Sequence, residues 1–409
     1  MAIKERILIY SSELGGHRQL FCDVLSTIFI KEHFEVVILA GINQESEKYW
    51  YHLEKFKNRS DIRIFDTYKF PKSNNGMMSV DEIVKFQEEN DISYTLFICG
   101  DEMITQFLAI ADNSAPRFKG KNIAIFGNTE YWYPKESILQ PGLNWHTRWL
   151  ELRGQITFGR YYEKFFSKIL HSPPVLDSIL VKDERVANDK GTPFFWYPDI
   201  YRVFDNQEED SKVKKEFDEV IPALSKFLAD HNDLEPILYF GIPDMRKGYD
   251  LILNLALQDS KSCFIHCGDP YNGNQKFEID VFPMHNQLVK EDRIFETGNR
   301  LENWRAIDVF WKSINRFVLG NRIYISSGTM LQALNAGKPV LCPNRGLVGY
   351  RTNNNNLGMT YSPRNFIGLK KSWDVFKSLP VTMYDSSIKK FMEPFTFDTL
   401  SNCILNSLN

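Results

Sequence analysis

Short apolar runs alternate with amphipathic stretches along the whole chain, and the alternation predicts parallel strands joined by helices. Residues 6–10 (RILIY) are apolar on nearly consecutive positions, the pattern of a strand buried on both faces. They lead through SSELGGH into a helical pattern over residues 19–31, and residues 36–40 supply the next strand. The rhythm then predicts a helix at 46–57, strands at 62–65, 94–99 and 123–126, and intervening helices at 80–89 and 103–111. Strands at 179–181 and 194–197 end the first half, and the polar segment 205–219 reads as a linker with a bridging helix. The second half restarts with PILYFGIPDMRKGYDLILNLA, which repeats the opening strand, glycine turn and helix. Further strands are expected at 263–267, 293–296, 309–311, 323–325 and 340–342, and a helical tail over 386–409. This count predicts an α/β protein of two Rossmann-like domains facing a cleft, residues 1–200 and 201–385. The tail, 386–409, is expected to cross back and pack on the first domain.

A length of 409 residues exceeds one ordinary core, in keeping with two domains. The hydrophobic share of 43% and charged share of 25% are those of a globular chain, and a net charge of −3 gives no support to nucleic-acid binding. Six cysteines sit mostly within apolar runs, as free buried thiols do; Cys263 and Cys267 have no partnering Cys or His pair, so no metal site is expected. The opening MAIKERILIY passes directly from charges into a strand. No apolar run approaches the roughly 18 residues of a membrane span. A cytoplasmic protein is therefore expected.

Residues 322–346 (RIYISSGTMLQALNAGKPVLCPNRG) carry the first chemical signal. A helix that opens on Ser327-Gly328-Thr329 presents backbone N–H groups at the positive end of its dipole with little side chain over them, a place where phosphate fits. An ordinary capped helix between two strands reads the same residues equally well. Residues 128–149 (NTEYWYPKESILQPGLNWHTRW) follow a strand's carboxyl end with five aromatics, which suit the apolar faces of sugar rings or simply pack a long loop. Over 148–171, basic and aromatic residues interleave; they form a solvated helix face backed by core aromatics or a peripheral contact with an anionic membrane.

Three stretches occur in an order that resembles GT-B glycosyltransferases of the glycogen-synthase-like and mannosyltransferase-like group (glycosyltransferase family four-like), of which this chain looks like a divergent member. They are GIPDMRKGYDLIL, FETGNRLENWRAIDVFW and SSGTMLQALNAGKPVLCPNRGLVGY. The resemblance implies a hexosyltransferase, retaining in stereochemistry, that moves a sugar from a nucleotide-diphosphate sugar to a carbohydrate or glycolipid acceptor in polysaccharide or glycoconjugate biosynthesis. It implies no cofactor, the nucleotide sugar being a substrate, and no catalytic metal. It places the donor on the second domain, at Gly241, Arg246, Lys247, Ser327, Gly328, Thr329, Gln332 and Arg345. Cations and N–H donors there suit a diphosphate whose charge grows in the transition state. Three positions depart from the pattern: Ile242 stands for the usual Arg, and Tyr324 and Gln332 for paired glutamates. Gln332 can still hydrogen-bond a ribose or sugar hydroxyl.

On the first domain, Gly15-Gly16 and His17 lie at a strand's carboxyl edge and are expected to face the cleft. Asp101 and Glu102 follow the fourth strand at the same edge. Asp101 and His17 are the candidate acid or base, Asp101 reading equally as a helix N-cap, and Glu130 is a further candidate. His266 lies in an apolar run and reads as core, and Asp308 as the end of a helix. Two rivals share these features: an epimerase or phosphorylase of the same fold, and a catalytically silent sugar- or nucleotide-binding partner of a transferase.

Overall fold

The computed structural model describes residues 5–14, 17–42, 59–72, 77–127, 165–170, 173–199, 211–271, 277, 280–299, 301, 304–322, 327–362 and 366–409. They divide into two compact units, one containing residues up to 199 together with 395–409, the other residues 211–394.

The first unit is a parallel sheet covered by helices. Its elements are β1 (Arg6–Ser11), α1 (His17–Lys31), β2 (Glu35–Ala40), β3 (Ile62–Asp66), α2 (Val80–Glu89), β4 (Tyr94–Phe97) and α3 (Ile104–Ala111), then β5 (Lys121–Phe126), β6 (Ser178–Val181), α4 (Glu184–Lys190) and β7 (Phe194–Trp196). The strand order is β3-β2-β1-β4-β5-β6-β7. Ile7 to Tyr10 and Val36 to Ala40 are wholly buried, which is why these strands read as unbroken apolar runs. The order reverses between β1 and β4, leaving a crevice at their carboxyl ends.

The second unit contains α5 (Ser211–Asp230), β8 (Glu235–Phe240), α6 (Tyr249–Gln258), β9 (Ser262–Cys267), α7 (Val281–Lys290), β10 (Ile294–Glu296) and α8 (Trp304–Ser313). There follow β11 (Phe317–Val318), α9 (Gly328–Asn335), β12 (Val340–Pro343), α10 (Gly346–Asn355), β13 (Gly358–Tyr361), α11 (Phe366–Ser378) and α12 (Asp385–Met392). Strands pair in parallel as β10-β9-β8 and β11-β12-β13, and β8 lies against β11. The switch point of this unit is thus between β8 and β11, where the first glycine loop emerges. The end of the chain divides between the units. Helix α12 packs on α9 and α10, whereas α13 (Phe397–Leu408) packs on β5, β6 and β7. Lys121 Nζ donates to the Leu408 carbonyl at 2.9 Å, and Ser178 Oγ to that of Ser407 at 2.9 Å.

Three differences from the sequence reading have physical causes. Residues 309–311, expected as a strand, lie inside α8, because Ala306, Ile307, Phe310, Trp311 and Ile314 bury one helical stripe. Asp308 accordingly lies mid-helix and pairs with Lys312 one turn on, at 2.5 Å. Strands β11 and β13 escaped notice because the first is two residues long and the second, GMTY, buries only Tyr361 fully. The strand expected at 323–325, the helix at 46–57 and the loop at 128–149 lie outside the described residues; of 148–171, residues 165–170 are helical. Among the described residues, no helix is long and apolar enough to cross a membrane.

Candidate active site

The loop between β8 and α6 is fastened to the sheet at several points. Gly241 has φ +112°, a conformation open to glycine, and its N–H donates to the Cys267 carbonyl at 2.8 Å. A Cβ on Gly268 would overlap the Gly241 carbonyl oxygen, so the two glycines let the β8 and β9 loops touch through backbone. Lys247 folds back over this turn: its Nζ lies 3.0 Å from where a Cβ on Gly241 would stand. Asp244 accepts from the Arg246 N–H at 2.7 Å and from its guanidinium Nη2 at 2.7 Å. Burial alone would raise the Asp244 carboxyl, but these Arg246 bonds outweigh it and hold it below the usual range. Arg246, expected on the diphosphate, pairs with Asp244 of its own loop and keeps most of its side chain exposed.

Beneath the loop, Arg322 and Asp250 form a buried two-bond ion pair at 2.6 and 2.7 Å. Arg322 also donates from Nη1 to the Met245 carbonyl and from its backbone N–H to that of Arg246, each at 2.8 Å. Gly248, at φ +70°, packs against Gly320 so closely that a Cβ on it would overlap the Gly320 carbonyl. A second anchor is His266 on β9, whose Nε2 lies 3.1 Å from the Gly241 carbonyl and Nδ1 3.1 Å from Glu296 Oε1. His285 Nε2 reaches Glu296 Oε2 at 3.0 Å. Burial would raise Glu296, yet the hydrogen bonds from His266 and His285 bring it down to about 2; the Glu296 bond in turn raises His285.

Helix α9 runs from β11 back to β12, so its amino terminus opens on the same carboxyl edge. Ser327 caps it, its Oγ accepting from the Met330 N–H at 3.2 Å and lying 2.8 Å from Thr329 Oγ1. The N–H groups of Gly328 and Thr329 belong to the first turn, which has no intrahelical acceptors for them. One turn further on, Gln332 is half-buried and its Oε1 finds no hydrogen-bond partner among the described residues. Arg345 follows β12 and precedes Gly346, the first residue of α10. Parallel pairing therefore brings Gly241, Lys247, the α9 terminus and Arg345 to one edge. Ile242 leaves its side chain 47% exposed there, and Tyr324 lies outside the described residues.

In the first unit the switch point holds a polar cluster that sequence reasoning only partly found. Glu102 accepts from Ser12 Oγ and pairs with Arg18, whose Nη1 also donates to Ser12 Oγ at 3.2 Å. The Ser12 N–H donates to Cys99 Sγ at 3.4 Å, and burial pushes that thiol up to about 11. Asp101 does not cap α3; its Oδ2 accepts from the Gly127 N–H at 2.8 Å, holding the exit of β5. His17 is the first residue of α1; Gly15, Gly16 and Glu130 lie outside the described residues.

No protein-family profile matches the chain, and no curated protein sequence does. Solved structures match it by shape. The chain is similar to Anabaena HepE in complex with UDP and glucose, at 12% identity over 99% of each chain and a TM-score of 0.64. It is similar to a glycosyltransferase from Rickettsia africae, at 13% identity over 99% of this chain and 98% of that one, with a TM-score of 0.63. This is the GT-B fold. A putative UDP-N-acetylglucosamine 2-epimerase from Listeria monocytogenes also has it, at 13% identity over 98% and 95% of the chains and a TM-score of 0.53. Such identities make the likeness one of fold, and the GT-B arrangement of two Rossmann-like domains accounts for both switch points.

Proposed function

We propose that the chain is a glycosyltransferase that moves a hexosyl unit from a nucleoside-diphosphate sugar to an acceptor hydroxyl. The observation that carries this reading is the β8–α6 loop, with the Lys247 ammonium folded over Gly241 at the switch point of the second unit. An ammonium there, with the N–H groups of Gly328 and Thr329 on the same edge, suits a diphosphate leaving group without a metal. Gln332, with an unsatisfied oxygen, is assigned to a ribose or sugar hydroxyl, and Arg345 to the second phosphate. The bound UDP and glucose of HepE favour a uridine diphosphate donor. The motif resemblance adds retention of configuration and a carbohydrate or glycolipid acceptor, and the free, mostly buried cysteines suit a cytoplasmic place of action. Acceptor chemistry is assigned to the first unit, with Asp101 and His17 joined there by Glu102, Arg18 and Ser12. Incubating the purified chain with a panel of UDP-sugars and acceptors tests the reading through release of UDP. Release that depends on acceptor supports transfer; interconversion of the donor sugar without an acceptor would favour the epimerase reading, which the Listeria likeness keeps in view.

A further inference from the structure

His266 faces two groups that only accept. The Gly241 carbonyl has no proton to give, and Glu296, brought down to about 2, is an ionised carboxylate at any working pH. Toward the Gly241 carbonyl, Nε2 can act only as a donor. The ring is wholly buried. The other groups facing it are the Tyr239 phenol from β8 and the Tyr249 phenol from α6, with ring centroids at 5.7 and 5.4 Å. Burial pushes both phenols far up, so neither ionises in the working range. His285 stands behind Glu296 and shares its second oxygen. These contacts tie the three side chains to one another, and no His, Cys, Asp and Glu group among the described residues could hold a metal ion.

The contact on Gly241 has a geometric consequence. A trans peptide is planar with its C=O and following N–H antiparallel. With the Gly241 carbonyl drawn onto His266, the N–H of Ile242 points the opposite way, away from His266, at the position where the resemblance led one to expect a cationic side chain.

We propose that His266 is a positioning residue for the diphosphate loop: held between Glu296 and the Gly241 carbonyl, it fixes the 241–242 peptide so that the Ile242 N–H faces a bound phosphate. This rests on the donor site proposed above. The test is UDP affinity of the full chain by calorimetry at pH 8, where the nucleotide's charge is constant. His266→Leu, which removes the donor, should weaken binding about tenfold or more, and His266→Gln, whose amide can still donate to the Gly241 carbonyl, should recover most of the loss. His285→Asn, which leaves His266 and its two bonds in place, should bind UDP within about threefold of the parent. Unchanged affinity in a folded His266→Leu, or an equal loss in His266→Gln, would overturn the proposal and leave the transferase reading intact. A parent chain that binds no nucleoside diphosphate would remove both.

Discussion

Replacing Asp250 with Asn tests how the candidate donor loop is held. Asp250 is wholly buried and accepts two bonds from Arg322, whose side chain is only 6% exposed. The substitution keeps the size of the side chain but leaves the guanidinium buried without its counter-charge. Breaking a buried pair from one side costs about 3 to 5 kcal/mol. For a unit of this size that corresponds to a fall in unfolding midpoint on the order of 6 to 20 °C. The loop should suffer as well, because Arg322 holds the Met245 and Arg246 carbonyls, and UDP affinity should drop in the folded variant. Urea unfolding at 25 °C measures the first effect and calorimetry the second. Replacing both residues together, Asp250→Leu with Arg322→Met, should cost less than the single change, since no charge is left unpaired. A loss below about 1 kcal/mol in Asp250→Asn would refute the idea that this pair anchors the loop.

Other outcomes follow from the same contacts. Gly268→Ala should abolish or strongly weaken UDP binding while the chain stays folded, because its Cβ would displace the Gly241 carbonyl; equal affinity by calorimetry would contradict this. Glu296 is depressed from the usual 4.5 to about 2 in the folded chain, so its contribution is present above about pH 4.5 and lost as pH falls toward 2. Acid unfolding of Glu296→Gln should therefore show a shallower dependence over that window, and an unchanged slope would count against the His266–Glu296–His285 network. Glu102→Gln should cut sugar transfer on the order of a hundredfold, with UDP affinity within about 1 kcal/mol of the parent, if the first unit carries acceptor chemistry. Parent-like turnover would remove Glu102 from that role.

The strands were legible where burial is two-sided. β1, β2 and β9 are parallel strands whose apolar runs leave no helical period, and the glycine-lysine spacing of the β8–α6 loop stands out beside them. Residues 309–311 misled because three consecutive bulky residues, Val309, Phe310 and Trp311, imitate a strand when the flanking Ala306, Ile307 and Ile314 are not counted with them. The anchors of the loop were not legible at all. Arg322 and Asp250 are 72 residues apart and meet only because β8 and β11 lie side by side. His266 reads as core because it is core; its bonds to Gly241 and Glu296 arise from the pairing of β9 with β8 and β10. The same holds for Arg18 and Glu102, which share the crevice between β1 and β4. Their spacing of 84 residues carries no local signal.

The account turns on whether the second unit holds a nucleoside diphosphate through Lys247. Titration of UDP into the parent chain and into Lys247→Ala measures this directly. The account predicts saturable binding by the parent and a loss of roughly 1.5 to 3 kcal/mol in the variant, about ten- to hundredfold in affinity, with the unfolding midpoint unchanged. No binding by the parent, or equal affinity in a folded Lys247→Ala, would contradict it.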